Sequence, residues 1–368
     1  MTRAASGLIL ISGLAAPLGA HAQKPVVQLP PVQGFTIVMT LTMKIGDRES
    51  VHVVQDASPT GFRWTWNLIE VRTTGDTLRQ EYRYTELDAD IKDAKRYWAF
   101  HEANSPGEHP GYTMHAFSRA VYRRVRAAGS DSLQMMTIES PTGSGMLGSL
   151  GLGGKATPVR WRGTIALATP APVPFPVLVN GQRTTVAALH LRGAFTWREK
   201  KWAPELWILA DSAYPLLLKW VGAPAEPENV LQTTRIDYPS AGVEAQLTKE
   251  CRAELPGIYF AFNSAILDTA SNRAIASVAE MLGRHADWSV TLEGHTDSIG
   301  SATANRTLSE RRVAAVRDRL VSAHRIDQGR LRASGFGSAR PREPNTTIEG
   351  RARNRRVELV RECTGSKP

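Results

Sequence analysis

Apolar and polar residues alternate along the first two thirds of the chain, with the period of two that indicates a β-strand with one buried face. The clearest example begins at Phe35, from which apolar side chains occupy every second position as far as Ile45. Weaker alternation predicts further strands over residues 51–55, 63–72, 77–85, 132–138, 159–168, 185–197, 206–209, 216–220 and 231–238. A short helix is expected within residues 89–101, and the proline-rich residues 170–176 are expected to form a loop. This region is therefore predicted to be a mostly antiparallel β domain.

Beyond residue 250 the pattern changes to strands that alternate with helices. Strands are predicted over residues 257–262, 288–293, 330–334 and 355–361, with a helix over 269–284 after the first of them. A second helix follows from apolar residues at helical spacing, namely Val313, Val316, Leu320 and Val321. The predicted order is βαβαββ. It indicates an α+β fold in which helices cover one face of a mixed sheet, and the first strand is expected to pair with the last.

The junction between the second strand and the second helix is predicted in more detail. The strand ends at Gly294, and residues 295–300 form a turn before the helix. Ser309 stands where an N-cap would accept free backbone N–H groups, so Arg312 is expected in the first helical turn. There the partial positive charge of the helix N-terminus and the guanidinium of Arg312 would both favour a bound anion.

Asp297 and Arg312 place an acid and a base around this turn. The carboxylate could accept from an ammonium group, and the guanidinium could form a bidentate fork with a carboxylate. The pair therefore suits a small zwitterion. The alternative is that Asp297 caps a loop while Arg312 is a solvated helix charge.

Further motif residues surround the pair, in the order Thr296-Asp-Ser-Ile-Gly300, Asn305, Leu308-Ser309, Asn345 and Gly350-Arg-Ala-Arg-Asn-Arg-Arg356. This order and spacing resemble the OmpA-like peptidoglycan-binding domain family, over about residues 253–362. The resemblance implies that Asp297 binds the amine of the free end of diaminopimelate and that Arg312 binds its carboxylate. It also implies that Thr296, Asn305 and Leu308 complete the pocket wall.

One motif position departs from the family. The first strand of the family usually reads Phe-Asp-Phe, whereas this chain has Ala261 between two phenylalanines. One acidic contribution to the pocket is therefore missing, and this predicts a lower affinity or a slightly different ligand.

The N-terminus has a charged head, a short apolar run from Gly7 to Leu18 and the sequence Ala20-His-Ala22. These features predict a secretory signal peptide over residues 1–22, and the alternative is an uncleaved membrane anchor. No Cys follows the signal, so no lipoprotein anchor is expected. The expected organisation continues with a proline-rich lead at 23–33, a β-rich domain at 34–238, a linker at 239–250, the OmpA-like domain at 251–363 and a tail at 364–368. Such a protein would lie in the periplasm or at the outer membrane of a Gram-negative-type bacterium.

The two cysteines, Cys251 and Cys363, bracket the C-terminal domain. An oxidising compartment permits a disulfide between them, and pairing of the first and last strands would bring the thiols to one end of the sheet. The alternative is two unrelated free thiols.

The formal net charge of +10 favours an anionic partner. Peptidoglycan stems and lipid headgroups fit an exported protein. Nucleic acid is not expected, because the arginines are not interleaved with the stacking aromatic residues of a strand-binding surface.

No catalytic set is apparent, and the protein is not expected to be an enzyme. Ser144 and Ser149 lack the glycine two residues earlier that a nucleophile elbow needs. His101, His109 and His115 are close in sequence but lack the spacing of a metal site. Neither a cofactor nor a metal is therefore expected.

These observations predict non-covalent peptidoglycan binding that tethers an exported β-rich domain to the cell wall. One alternative makes the N-terminal region an outer-membrane β-barrel with a periplasmic anchor. Another makes it a carrier of a lipid or hydrophobic ligand, because the tryptophans other than Trp288 are concentrated between Trp64 and Trp220. Core packing is the simpler explanation of those tryptophans. The sequence does not predict an oligomeric state.

Overall fold

The computed structural model describes residues 28–43, 46–71, 77–98, 107–139, 157–224, 228–238 and 242–362. Within these residues the largest apolar clusters form two cores. One core draws its buried residues from 29–236 and the other from 247–359. The predicted signal peptide, Ser144, Ser149, His101 and Cys363 lie outside the described residues.

In the described residues, the N-terminal region is a sheet of β-strands with two helices. Its elements are β1 (Thr36–Met43), β2 (Gly46–Ser58), β3 (Gly61–Val71), β4 (Thr77–Leu87), α1 (Asp88–Asp93), β5 (Arg96–Trp98), β6 (Gly107–Glu108), α2 (Arg119–Ala128), β7 (Ser130–Glu139), β8 (Thr157–Leu167), β9 (Val173–Val179), β10 (Gln182–Trp197), β11 (Lys200–Trp202), β12 (Glu205–Leu209), β13 (Leu217–Val221) and β14 (Val230–Asp237). The strands are hydrogen-bonded in the order β5-β7-β8-β10-β12-β13-β14-β1-β2-β3-β4-β6, with β9 and β11 attached to β10. Most neighbours are antiparallel, so the predicted β-rich class is confirmed.

Alternation explains which face of each strand enters the first core. Phe35, Ile37 and Met39 are buried there, as the period of two predicts. Val38 lies on the opposite face of β1, yet it is also fully buried, in a smaller cluster with Tyr259 of the C-terminal region. At Val38, the second face of β1 is therefore covered by Tyr259 of the C-terminal region rather than by water.

The tryptophans of this region pack in or against its core, which agrees with core packing as the simpler explanation of their concentration. The buried ones are Trp64, Trp66, Trp98, Trp161, Trp202 and Trp220. Several stack on other rings; Trp64 lies 4.1 Å from the ring centroid of His115, for example. Such rings bury large apolar areas in specific geometries.

In this region one local prediction was wrong, one was confirmed in part and one helix was missed. The proline-rich loop contains β9, whose prolines at 174 and 176 precede the two residues that also pair with β14. A proline is tolerated in a strand where the missing N–H has no ladder partner. The helix expected within 89–101 ends at Asp93, and β5 follows it. Helix α2 was not predicted, although Ser118 caps it by accepting from the N–H of Val121 at 3.2 Å.

The C-terminal region alternates strands and helices. Its elements are α3 (Val243–Glu250), β15 (Arg252–Glu254), α4 (Asn272–Arg284), β16 (Val290–His295), α5 (Ala302–His324), β17 (Leu331–Gly337), α6 (Ile348–Asn354) and β18 (Val357–Arg361). The sheet order is β15-β18-β16-β17, with β16 and β17 parallel and the other pairs antiparallel. The predicted mixed sheet with helices is therefore confirmed.

The first strand of this sheet is not where the sequence predicts it. Residues 257–262 contain only an isolated bridge between Phe260 and Leu267, whereas β15 pairs antiparallel with β18. Helix α6 also lies between the last two strands. The predicted linker contains α3, whose Leu247 is fully buried in the second core. Packing of this helix against the sheet end replaces an extended connection.

Helix α5 approaches the sheet closely because glycines face it. A Cβ on Gly294 would lie 2.6 Å from Val313 Cγ1 and 2.8 Å from the Ser309 carbonyl oxygen. A Cβ on Gly335 would overlap the backbone nitrogen of Glu310. These contacts fix α5 across β16 and β17, next to the end of β16 where the candidate site lies.

None of the helices within the described ranges combines the length and the apolar character that a membrane crossing needs.

Candidate functional site

Arg312 lies farther along its helix than the sequence predicts. Helix α5 begins at Ala302, and its N-cap is Ser301, whose hydroxyl accepts from the N–H of Ala304 at 3.2 Å. Ser309 is fully buried inside the helix, where it accepts from the N–H of Gly337 at 2.8 Å. The N-cap assignment to Ser309 was therefore wrong, and the N-terminal dipole, which acts over the first turn, does not assist Arg312.

The turn after β16 holds Asp297 in a defined position. One carboxylate oxygen of Asp297 accepts from the N–H of Ile299 at 3.0 Å. The amide of Asn305 donates to the carbonyls of Asp297 at 3.3 Å and Ile299 at 3.0 Å. Asn345 accepts from the N–H of Ser298 at 3.1 Å, so the turn is fixed from two directions. Asn305 consequently shapes the turn and does not point a free amide at a ligand.

Thr296 and Leu308, the other predicted wall residues, are both buried. The hydroxyl of Thr296 donates to the Asp297 carbonyl at 2.9 Å, and its N–H donates to the Gly337 carbonyl at 3.0 Å. Thr296 therefore has the same backbone-fixing role as Asn305.

Arg312 points at the segment that carries the unusual alanine. Its Nε donates to the Ser264 carbonyl at 2.9 Å, and its guanidinium carbon lies 4.9 Å above the ring of Phe260. Ala261 beside that ring is buried. Burial lowers the pKa of Arg312 to about 10, so the group stays charged at neutral pH while it is largely removed from water.

The direct ionic partner of Asp297 is Arg355, which the sequence did not assign. Nη1 of Arg355 donates to Asp297 Oδ2 at 2.7 Å. Asp297 and Arg312 share the same electrostatic neighbourhood, but no hydrogen bond between them occurs in the described part of the chain. The only signal for Arg355 was its place in the Gly350–Arg356 motif, next to the end of α6.

Two acids at the start of β2, in the N-terminal region, contact arginines of the Gly350–Arg356 motif. Asp47 accepts from Arg351 through both carboxylate oxygens, at 2.7 and 3.0 Å. Glu49 accepts from Nε and Nη2 of Arg355 at 3.0 and 2.7 Å, and from Arg235 at 3.4 Å. Neither acid carries a motif, so the sequence offered no signal for them.

The space between these groups is small. Glu49, Arg312, Arg355 and Tyr259 are among the residues that line a cavity of about 30 Å³. That volume holds about one water molecule. This cavity is too small for anything as large as an amino acid in this arrangement.

A second polar cluster lies behind the turn, where Glu293, His295 and Glu358 bring ligand-type atoms within 4.8 Å of one another. Arginines already neutralise both acids. Glu358 accepts from Arg252, from Arg356 at 2.5 Å and from Arg342 at 2.8 Å. Burial would raise the pKa of Glu358, but these arginines outweigh it and lower the pKa to about 2. A divalent cation would be repelled by this excess of positive charge, so the cluster is an ion-pair network that fixes β16 and β18.

The matches to known proteins fall on this region. A sequence model of the OmpA family matches residues 259–355, so the C-terminal third of the chain carries an OmpA-family domain. The chain is similar to outer membrane porin F of Pseudomonas aeruginosa, with 44% identity over 101 residues, which are 27% of this chain and 29% of that protein. It is also similar to the peptidoglycan-binding protein ArfA of Mycobacterium bovis, with 38% identity over 123 residues, 33% of this chain and 37% of that protein.

The match thus spans about a third of the length of these two curated relatives. Among solved structures, the peptidoglycan-associated lipoprotein from Burkholderia pseudomallei aligns with 27% identity and a TM-score of 0.27, over 28% of this chain and 88% of that one.

Proposed function

We propose that the OmpA-family domain binds peptidoglycan non-covalently and tethers the β-rich domain to the cell wall. The observation that carries this proposal is the buried Asp297, fixed in its turn within electrostatic range of the partly buried guanidinium of Arg312. A peptidoglycan-binding protein among the sequence relatives supports the same partner.

The finer proposal is that the ligand is the free end of diaminopimelate in the stem peptide. Its ammonium would contact Asp297, and its carboxylate would contact the terminal Nη groups of Arg312, whose Nε is already used by Ser264. Thr296, Asn305 and Leu308 would support this pocket from behind. The missing acid at Ala261 leaves Asp297 as the acid for the ammonium on this wall.

The two apolar cores divide the chain into two domains, and each has its own proposed role. We propose that residues 34–238 are the tethered domain and residues 251–363 the anchor, with α3 as the connection between them. A location in the cell envelope follows from this partner and from relatives named as outer-membrane proteins. The relatives carry the names of porins and binding proteins rather than enzymes, and this favours binding over catalysis.

Sedimentation with isolated sacculi tests the proposal. Purified full-length protein is expected to pellet with sacculi that contain diaminopimelate, and Arg312→Ala or Asp297→Asn should cost on the order of 2 to 5 kcal/mol of binding free energy, because each leaves a ligand charge unpaired. Arg311→Ala is the matched control, since Arg311 is an exposed arginine on the same helix. Circular dichroism checks that each variant is folded.

Two results would contradict the proposal. Binding that survives both site substitutions would place the ligand elsewhere. Equal binding to sacculi with lysine in place of diaminopimelate would reject the ligand assignment, because lysine lacks the second carboxylate that Arg312 is proposed to bind.

A further inference from the structure

Asp47 and Glu49 lie on the N-terminal domain, yet their carboxylates contact the anchor domain's arginines. Asp47 forms a two-oxygen fork with Arg351, and its side chain is 1% exposed. Glu49 accepts twice from Arg355. A ligand carboxylate would bind an arginine through the same pair of parallel hydrogen bonds. The two acids therefore stand in the positions that an anionic ligand would use.

We propose that Asp47 and Glu49 form an acidic gate that closes the peptidoglycan site until the start of β2 moves away. The proposal rests on the proposed function, because it concerns regulation of that same site. Glu49 lines the same small cavity as Arg312, to which the ligand carboxylate is proposed to bind, so the closed and the ligand-bound arrangements exclude each other.

The size of the cavity supports this gate. Only about 30 Å³ is left beside Glu49 and Arg312, which excludes a diaminopimelate end. The turn of the site also lies close to the start of β2, because a Cβ built on Gly46 would come within 3.6 Å of Ile299 Cγ2. A ligand can therefore enter only after β1 and β2 separate from the 297–300 turn.

The charges of the arginines around the site also support the proposed gate. Without the gate, Arg351 would lose its fork to Asp47, and Arg312 and Arg355 would share the single carboxylate of Asp297. Such an excess of positive charge attracts carboxylates. On opening, the two gate carboxylates return to water, and the ligand carboxylate brings one negative charge back to these arginines. Burial would raise the pKa of Glu49, but Arg235 and Arg355 outweigh it and hold the pKa at about 2, so the gate is charged at neutral pH.

The remaining contacts between the domains leave room for movement. A cleft of about 640 Å³ separates them beside α3, with Tyr238, Glu244 and Arg273 among the residues that line it. The boundary is thus open beside α3.

The first experiment removes the gate charges in the full-length chain. Asp47→Asn with Glu49→Gln is expected to bind diaminopimelate-containing sacculi at least tenfold more tightly than the parent. Asp56→Asn is the matched control, because Asp56 is an acid on the same strand that pairs with the exposed Arg63. It should bind as the parent does.

The second experiment locks the gate without touching the site. Asn67 donates to Asp268 at 2.9 Å and to Thr269 at 2.8 Å across the domain boundary. In N67C/T269C, a short bis-maleimide should join the two domains and lower binding at least tenfold relative to the same variant without cross-linker. The single variant N67C, treated with the same reagent, should keep the parent's affinity.

The outcomes separate the two proposals. Tighter binding by the neutralised variant and weaker binding by the locked one support the gate. If both bind as the parent does, or if neutralisation weakens binding, while Arg312→Ala still abolishes it, the gate is overturned and the proposed function stands. If no form binds sacculi, the proposed function fails and the gate fails with it.

Discussion

His295 shows how a single residue beside the site depends on its surroundings. Its ring is buried at the end of β16, stacks on Phe336 with centroids 5.5 Å apart, and finds no hydrogen-bond partner for either nitrogen among the described residues. Burial lowers the pKa of His295 to about 4, and the charge of Arg356 acts in the same direction. The folded protein therefore keeps this ring neutral at pH values where the unfolded chain protonates it.

The stability of the protein should reflect this difference. Because the folded pKa lies below the unfolded value of 6.5, the contribution is complete above pH 6.5 and is lost as the pH falls towards 4. His295→Phe should remove on the order of 1–2 kcal/mol of that acid sensitivity. Urea unfolding of parent and variant at pH 7 and pH 4.5 measures it. An identical loss of unfolding free energy in both proteins would contradict the prediction.

At the scale of elements, the position of α5 decides where Arg312 lies. The helix can cross β16 and β17 only because Gly294 and Gly335 leave room for its backbone. Ser309 then bonds across to Gly337, and this contact replaces the N-cap role that its sequence suggested. A serine in a helical pattern can thus serve the packing of that helix instead of starting it.

A substitution at this crossing should be costly. In Gly335→Ala the new methyl group would overlap the Glu310 backbone nitrogen and lie 2.5 Å from Ser309 Oγ, so we expect a loss of about 2 kcal/mol or more in unfolding free energy. The control is Gly283→Ala in α4, where no heavy atom lies within 4 Å of the new carbon. That change should be neutral or stabilising by up to about 1 kcal/mol. Thermal denaturation compares them, and equal melting temperatures would refute the packing argument.

At the scale of the whole molecule, the two domains share a boundary that is both apolar and ionic. Tyr259 packs with Val38, Val51 and Val53 of β1 and β2, and its hydroxyl donates to Asp237. Arg183 pairs with Glu343 at 3.0 Å elsewhere on the boundary. The boundary therefore holds the acids of the N-terminal domain against the arginines of the anchor domain.

The covalent closure of the anchor domain remains a prediction at this scale. The N–H of Arg361 donates to the carbonyl of Cys251 at 2.9 Å, so the end of β18 runs beside that cysteine, while Cys363 lies outside the described residues. A disulfide that closes so long a loop would stabilise the domain by roughly 4–5 kcal/mol in the chain-entropy model. Alkylation without reductant, followed by intact mass measurement, should add no label to the exported protein. Addition of two labels would show free thiols.

The sequence by itself determined the elements whose signal is local. A period of two placed β1 and the other long N-terminal strands, and apolar residues at helical spacing placed α4 and the body of α5. The motif order placed Asp297 and Arg312 in one family domain. Short elements such as β15 and β9 were missed, because three residues or a pair of prolines carry too little local signal against the packing that creates them.

Only the tertiary structure decided what surrounds the candidate site. Arg355 lies 58 residues from Asp297 along the chain, and Glu49 lies 306 residues from Arg355, so their contacts depend on how the sheets and domains pack. The second buried face of β1 has the same origin, because Val38 is covered by a residue of the other domain. Periodicity reports which side of an element is apolar. It does not report which distant acid will neutralise Arg355, and that pairing depends on how the two domains pack.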